Sequence, residues 1–209
     1  IIVRNEDGTI ELKQTGLTNR IIAALGLEGA RLKMTPAEHG ALGKDKHGKP
    51  GSEVWSYPSI VGMLMYLSTN SRPDITFAVN QCARYTAFPK HSHEVALKRV
   101  GRYLVGTRNR GLIMNPTDEL NIEMFVDADF AGLWNAEDPA DPISVRSRTG
   151  FVICIAKCPI LWISKLQTET ALSTMMAEYI ALSTAMRDLI PIKRMVVEVA
   201  DIMGLDDSK

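Results

Sequence analysis

Three carboxylates stand where chemistry is conceivable. Asp127 and Asp129 close the apolar run Phe125-Val126-Asp127-Ala128-Asp129-Phe130, and Glu178 lies fifty-one positions after the first of them. A carboxylate at the end of an apolar strand is costly unless something compensates its charge, and a divalent cation does so. Positions 127 and 129 share a strand face by the period of two. Glu178 follows Thr174 by four and precedes Ala181 and Ala185 by three and seven, a helical stripe of small residues that permits close approach to a sheet. If helix and strand meet there, two carboxylates face each other, and Mg²⁺ or Mn²⁺ would neutralise their repulsion. That arrangement suits metal-assisted phosphodiester hydrolysis, in which two ions roughly 4 Å apart activate water and stabilise the leaving oxygen. By spacing alone, an acidic strand end and a solvated helix glutamate are the commoner reading.

A second chemistry is cationic. Between Arg84 and Arg110 stand Lys90, Lys98, Arg99, Arg102 and Arg108 as well, against the single acid Glu94. Lys98 and Arg102 are four apart with Arg99 adjacent, so a helix presents them as one ridge opposite Val100 and Leu104. Such a ridge tracks phosphates without reading sequence, and its affinity falls with salt. A solvated helix face is the alternative. Other constellations are weaker. Ser173 and Thr174 have no His near them in sequence, and His39, His47, His91 and His93 all lie in the front half, so a Ser–His–acid hydrolase has no support. Trp55, Trp134 and Trp162 show no spacing that suggests a stacking platform, and Trp162 is expected to pack in a sheet. Cys82, Cys154 and Cys158 are too few for a disulfide framework and lack the partners of a zinc site; they read as reduced, buried thiols.

These residues need elements to position them. Ile1 to Leu12 alternates around Asp7-Gly8 and predicts a two-stranded hairpin. Ile21, Ile22 and Leu25 before Gly26 predict a helix over 18–27. The Gly-, Pro- and Lys-rich stretch 28–53 reads as a long connector and as the best candidate for a flexible joint. Helices are then predicted from Pro58, from Pro73-Asp74, and from the N-cap candidate Ser92 to Gly106. Beyond Pro116 come β-rich runs at 121–130, 149–156 and 160–165, and a strong helix over 170–188 that Pro191 ends or follows with a second. The expected fold class is α+β or mixed α/β: a mainly helical module over 1–115, then three strands and helices over 116–209.

Composition bounds the rest. The 209 residues are 45% hydrophobic and 23% charged, which excludes a mainly disordered chain. No apolar run approaches the roughly 20 residues of a membrane span. The net charge of zero conceals a division: residues 1–115 hold 16 Lys and Arg against 9 Asp and Glu, and 116–209 hold 8 against 15. A basic front half attracts polyanions, although two oppositely charged surfaces that attract each other would give the same counts. The chain begins at Ile1 without Met or signal segment, which suggests a piece of a longer product.

Several blocks resemble one family. Tyr57-Pro58-Ser59-Ile60-Val61-Gly62, Met63-Leu64-Met65-Tyr66-Leu67, Ser71-Arg72-Pro73-Asp74-Ile75-Thr76-Phe77-Ala78-Val79 and Leu97-Lys98-Arg99-Val100-Gly101-Arg102-Tyr103-Leu104 look like the thumb and connection end of the reverse transcriptase of copia-type retrotransposon polyproteins. Val126-Asp127-Ala128-Asp129-Phe130-Ala131-Gly132, Ser147-Arg148-Thr149-Gly150-Phe151, Trp162-Ile163-Ser164-Lys165-Leu166-Gln167 and Ala177-Glu178-Tyr179 look like the start of the same polyprotein's RNase H domain. The resemblance implies a truncated RNase H-like fold over 116–209, with Asp127 and Glu178 as its first two catalytic, metal-binding carboxylates and Asp129 a neighbour. It implies hydrolysis of RNA in RNA–DNA hybrids by the intact protein, a Mg²⁺ or Mn²⁺ requirement, and contact of Arg84, Lys98, Arg99 and Arg102 with a hybrid or template–primer duplex. It also implies the remainder of the polyprotein as a partner, no membrane, and an intracellular setting in a cytoplasmic particle or the nucleus. The family's later carboxylates have no match here, since Asp206 and Asp207 precede the strand that would hold them. Little nuclease activity is therefore expected of this chain alone. Met175-Met176, Pro191 and the longer acidic insertion 133–145 depart from the pattern and are compatible with a decayed element copy, whose surviving role would be non-catalytic nucleic-acid binding.

Overall fold

The computed structural model describes residues 1–52, 54–117, 119–134 and 140–204. Among them are five α-helices and two three-stranded antiparallel sheets, a mixed α/β composition. The chain divides into two compact units, residues 1–115 with 131–146, and 116–130 with 147–209.

The first unit opens with β1 (Ile2–Arg4) and β2 (Ile10–Leu12), which pair antiparallel across the Asp7-Gly8 turn. Gly8 has φ +86°, a conformation glycine adopts without strain. A third strand, β3 (Leu112–Met114), pairs with β2. Nothing in the sequence announces it, because no turn signal joins it to β2, whose residues lie about 100 positions earlier in the chain. Four helices build the core: α1 (Thr15–Ala24), α2 (Tyr57–Asn70), α3 (Thr76–Ala83) and α4 (His91–Gly106). Ser56 caps α2, its hydroxyl accepting from the Ser59 amide at 3.4 Å, and Pro58 sits where its missing N–H costs nothing. A single 3-10 turn at Pro73–Ile75 precedes α3. The N-cap of α4 is Lys90 rather than Ser92, because the His93 ring takes over the capping role: its Nδ1 accepts from the Lys90 amide at 2.9 Å. Ile21, Ile22, Leu64, Leu67, Val79, Leu97, Val100 and Leu104 are all fully buried between these helices. Gly101 permits α4 to approach α1: a Cβ there would lie 2.5 Å from Leu27 Cδ1 and 2.6 Å from Leu25 Cδ1.

The stretch 28–52, expected as a flexible joint, has no helix or strand but is bound down along α3 and α4. Ala30, Ala37 and Leu42 pack against the core. The Tyr85 hydroxyl and an Arg84 Nη donate to the Leu42 carbonyl at 2.6 and 3.1 Å, and His93 Nε2 lies 2.8 Å from the Gly43 carbonyl. Glu94, which is 3% exposed, accepts from the Ser52 amide and hydroxyl at 2.8 and 2.9 Å. Low hydropathy misled the expectation: the segment is held by polar partners that lie 40 to 60 residues away in sequence. Residue 53 and part of the insertion, 135–139, lie outside the described residues. The rest of the insertion belongs to the first unit, with a 3-10 turn at Pro142–Val145 and an ion pair between Lys44 and Asp141.

In the second unit, β4 (Ile122–Asp129), β5 (Arg148–Ile155) and β6 (Cys158–Leu166) form a meander in the order β4-β5-β6, so β4 has an unpaired edge among the described residues. The β5–β6 turn places Ala156 and Lys157 at φ +49° and +67°, both left-handed. Trp162 sits in β6 and is 8% exposed, as expected of a sheet residue. One helix follows, α5 (Thr174–Met203), which runs unbroken through Pro191 and ends on Gly204 at φ +66°. Pro191 neither ends it nor starts a second helix: Pro is usually a breaker, but the helical pattern on both sides outweighs the one hydrogen bond it removes.

Candidate functional site

The sheet and α5 fix where the acids sit. Ile122, Met124 and Val126 of β4 pack with Phe151, Ile153 and Ala185, which defines the face of the sheet that α5 covers. On the helix, Ala177, Ala181 and Ala185 have no exposed surface. Their missing bulk lets α5 lie close, and Gln167 ties its start to the strands by donating to the Ala177 carbonyl at 2.9 Å and to Thr149 Oγ1 at 3.1 Å. Glu178 is therefore not in the small-residue stripe where its spacing had placed it. It is one residue off that stripe, exposed, on the flank of α5. There it lines a groove of about 330 Å³ with Met175, Tyr179, Leu182 and Val126.

Asp127 follows Val126, so the pleat turns it to the other face of β4, where it pairs in register with Gly150 and is exposed. Asp129 lies on the same face, opposite Arg148 in the register. Glu123, also on this face, is ion-paired to Lys157 at 2.7 Å. The two acids singled out from the sequence are therefore not brought face to face: Asp127 stands on the face of β4 turned away from α5, and Glu178 on the flank of the helix that covers the opposite face, beside Val126. Their oxygens are of the right chemical kind for a hard dication, but the number is small: among the described residues no group of three His, Cys, Asp or Glu gathers anywhere. Residues 205–209, with Asp206 and Asp207, lie outside the described residues.

The cations of the first unit are more engaged than their spacing suggested. Arg99 donates from Nη1 to Glu38 at 2.6 Å and from Nη2 to Thr35 Oγ1 at 2.9 Å. Arg84 bonds the Leu42 carbonyl and stacks 5.0 Å over the Tyr85 ring. Lys98 Nζ lies 5.9 Å over the Trp55 ring, and Arg102 is half-buried. The ridge on α4 exists, but Arg84 and Arg99 also fasten the 28–52 strap.

Sequence reasoning missed Arg72. It is 1% exposed, the largest fully buried side chain. Its guanidinium bonds Asp74 through Nε at 2.9 Å and Nη2 at 2.8 Å, and Thr107 through the carbonyl at 3.1 Å and Oγ1 at 2.7 Å. The Tyr103 hydroxyl also donates to Asp74 at 2.7 Å. Burial pushes the Asp74 carboxyl up, but the bonds from Arg72 and Tyr103 outweigh it and hold the group below its ordinary value. This latch joins the α2–α3 turn to the end of α4. The Arg-Pro-Asp sequence was legible; Tyr103 and Thr107 as its receivers were not.

The chain is 38% identical over 123 residues to a retrovirus-related Pol polyprotein from transposon RE1 of Arabidopsis thaliana, and 33% identical over 194 residues to one from transposon TNT 1-94 of Nicotiana tabacum. These alignments cover 59% and 90% of this chain but only 8% and 14% of the polyproteins. An uncharacterized mitochondrial protein of Arabidopsis thaliana, AtMg00810, is 30% identical over 192 residues, covering 90% of this chain and 75% of that protein. No family model and no solved structure matches. No helix among the described residues is long and apolar enough to cross a membrane.

Proposed function

The chain belongs to the family of retrovirus-related Pol polyproteins of copia-type transposons, and on that premise we propose that it is the stretch running from the thumb and connection of the reverse transcriptase into the first half of the RNase H domain. Residues 1–115 are the former and 116–209 the latter. In the whole polyprotein the reaction served is hydrolysis of the RNA strand of an RNA–DNA hybrid. What supports this reading is the similarity to the transposon Pol polyproteins across both halves of the chain, together with a groove in the second unit lined by Glu178 and by Val126, the strand neighbour of Asp127. Mg²⁺ or Mn²⁺ bound there would supply charge neutralisation and an acidified water. The carboxylates that the family resemblance offers it are Asp127 and Glu178, both exposed to solvent but on different faces of β4, so that one ion would bridge them only with a side chain reaching around the strand edge.

Two carboxylates leave most of a six-coordinate shell to water and phosphate, so the isolated chain binds hybrid without cutting it. The polyanion contact falls to α4, through Lys98 and Arg102 with Arg84 and Arg99 beside them. Binding is measured by anisotropy with a labelled RNA–DNA hybrid over a salt series. Affinity that falls with salt, and that is lost on reversing Lys98, Arg99 and Arg102 to Glu, is the expected outcome. Unchanged affinity and salt slope would refute it. The carboxylate assignment is tested by NMR: Mn²⁺ should broaden the signals of residues 127 and 178 together, and Asp127→Asn should abolish the effect at both. Broadening at neither removes the pair from the RNase H reading. Mg²⁺-dependent cleavage by this chain alone would overturn its proposed inactivity.

A further inference from the structure

We propose that the groove between the entry to α2 and the α3–α4 turn binds unpaired nucleotides of a single-stranded polynucleotide, a base stacking on Phe88 and phosphates meeting Lys90 and Lys98. Phe88 is 85% exposed in a turn whose backbone is fixed. Pro89 restricts it from one side, the Pro89 carbonyl accepts from the Gly51 amide at 3.1 Å, and the His91 amide donates to the Lys49 carbonyl at 2.9 Å. A large aromatic ring held out to water on an ordered backbone presents a π-face at little entropic cost. Trp55, which also lines the groove, stacks on Tyr57, with centroids 6.0 Å apart and planes at 21°, and Lys98 Nζ lies 5.9 Å from the Trp55 ring centroid. The groove is open to solvent, and its volume of about 560 Å³ is within the usual range for small-ligand sites and suits one or two nucleotides.

Aromatic faces interleaved with lysines are the means by which single strands are held without regard to sequence, since every base has a π-face. A duplex offers no such face, because its bases are already stacked. The one described acid lining the groove, Glu94, is turned into the wall: its Oε1 accepts from Ser52, and its Oε2 lies 3.7 Å from His91 Nδ1. A proline-rich peptide also uses aromatic grooves, but it gains nothing from Lys90 and Lys98.

The inference rests on reading the first unit as a polyanion-binding module, and the test separates the two. Anisotropy is recorded with a labelled dT10 oligonucleotide, with an RNA–DNA hybrid, and with a proline-rich peptide. Phe88→Ala should weaken dT10 binding about 5- to 150-fold, the range for loss of one stacked base, and leave the hybrid unchanged. Phe88→Trp should restore dT10 binding. Wild-type dT10 affinity in Phe88→Ala overturns the groove even where the hybrid still binds, and a peptide that binds in a Phe88-dependent manner while dT10 does not overturns it too. Loss of hybrid binding in Phe88→Ala with an unchanged melting curve shows duplex contact and refutes the single-strand assignment.

Discussion

Replacing Arg72 with Ala isolates the latch of the first unit. The two bonds to Thr107 are charge-assisted, each contributing about 1.5 kcal/mol. The pair with Asp74 adds about 1 kcal/mol after discounting for the partial exposure of that carboxylate, at 28%. The sum, about 4 kcal/mol, is a large part of a typical domain's stability. For a unit of roughly 130 residues, with an unfolding entropy of about 2.1 cal/mol/K per residue, the midpoint falls by about 15 °C. Calorimetry and urea titration read this directly. The pH dependence gives a second signature. Because Asp74 is held below its ordinary pKa when folded, its contribution is fully present above the unfolded carboxylate pKa and is lost as pH falls through the folded value. Arg72→Ala should move that acid loss to higher pH, and Asp74→Asn should remove it. A midpoint shift under about 3 °C in Arg72→Ala, with an unaltered acid limb, would refute the assignment of Arg72 as the tie between the α2–α3 turn and α4.

Ala181→Leu should destabilise the second unit by about 1–3 kcal/mol in urea titration, since the residue has no exposed surface and an overpacked helix must move off the sheet. Pro191→Ala should instead raise the stability of that unit by at least 1 kcal/mol, roughly, by restoring a helical N–H; a lower urea midpoint would contradict the unbroken α5. Burial pushes the Cys82 thiol up to about 12, so at pH 8 only about 10⁻⁴ of it is thiolate, and iodoacetamide should label it only on unfolding. Labelling at the rate of a free thiol would show that the core around Tyr57 opens.

The type of most elements was readable from the chain itself, for local reasons. Asp7-Gly8 demands a tight turn, Pro58 marks a helix start, and the β-rich run 121–130 marks a strand. The two acids at 127 and 178 were legible as residue types in fitting elements. Their relation was not, because a helix spacing of three, four and seven is satisfied by the stripe Ala177, Ala181, Ala185 as well as by one through Glu178. Only packing against β4 and β5 decided which stripe is buried and which stands on the flank. Long-range polar geometry was likewise beyond the sequence. The Leu42 and Gly43 carbonyls that hold the strap, and the Tyr103 and Thr107 groups that receive Arg72 and Asp74, meet their partners across 29 to 50 residues. Period and propensity act over a few residues, whereas such pairs exist only once the core has brought the helices together.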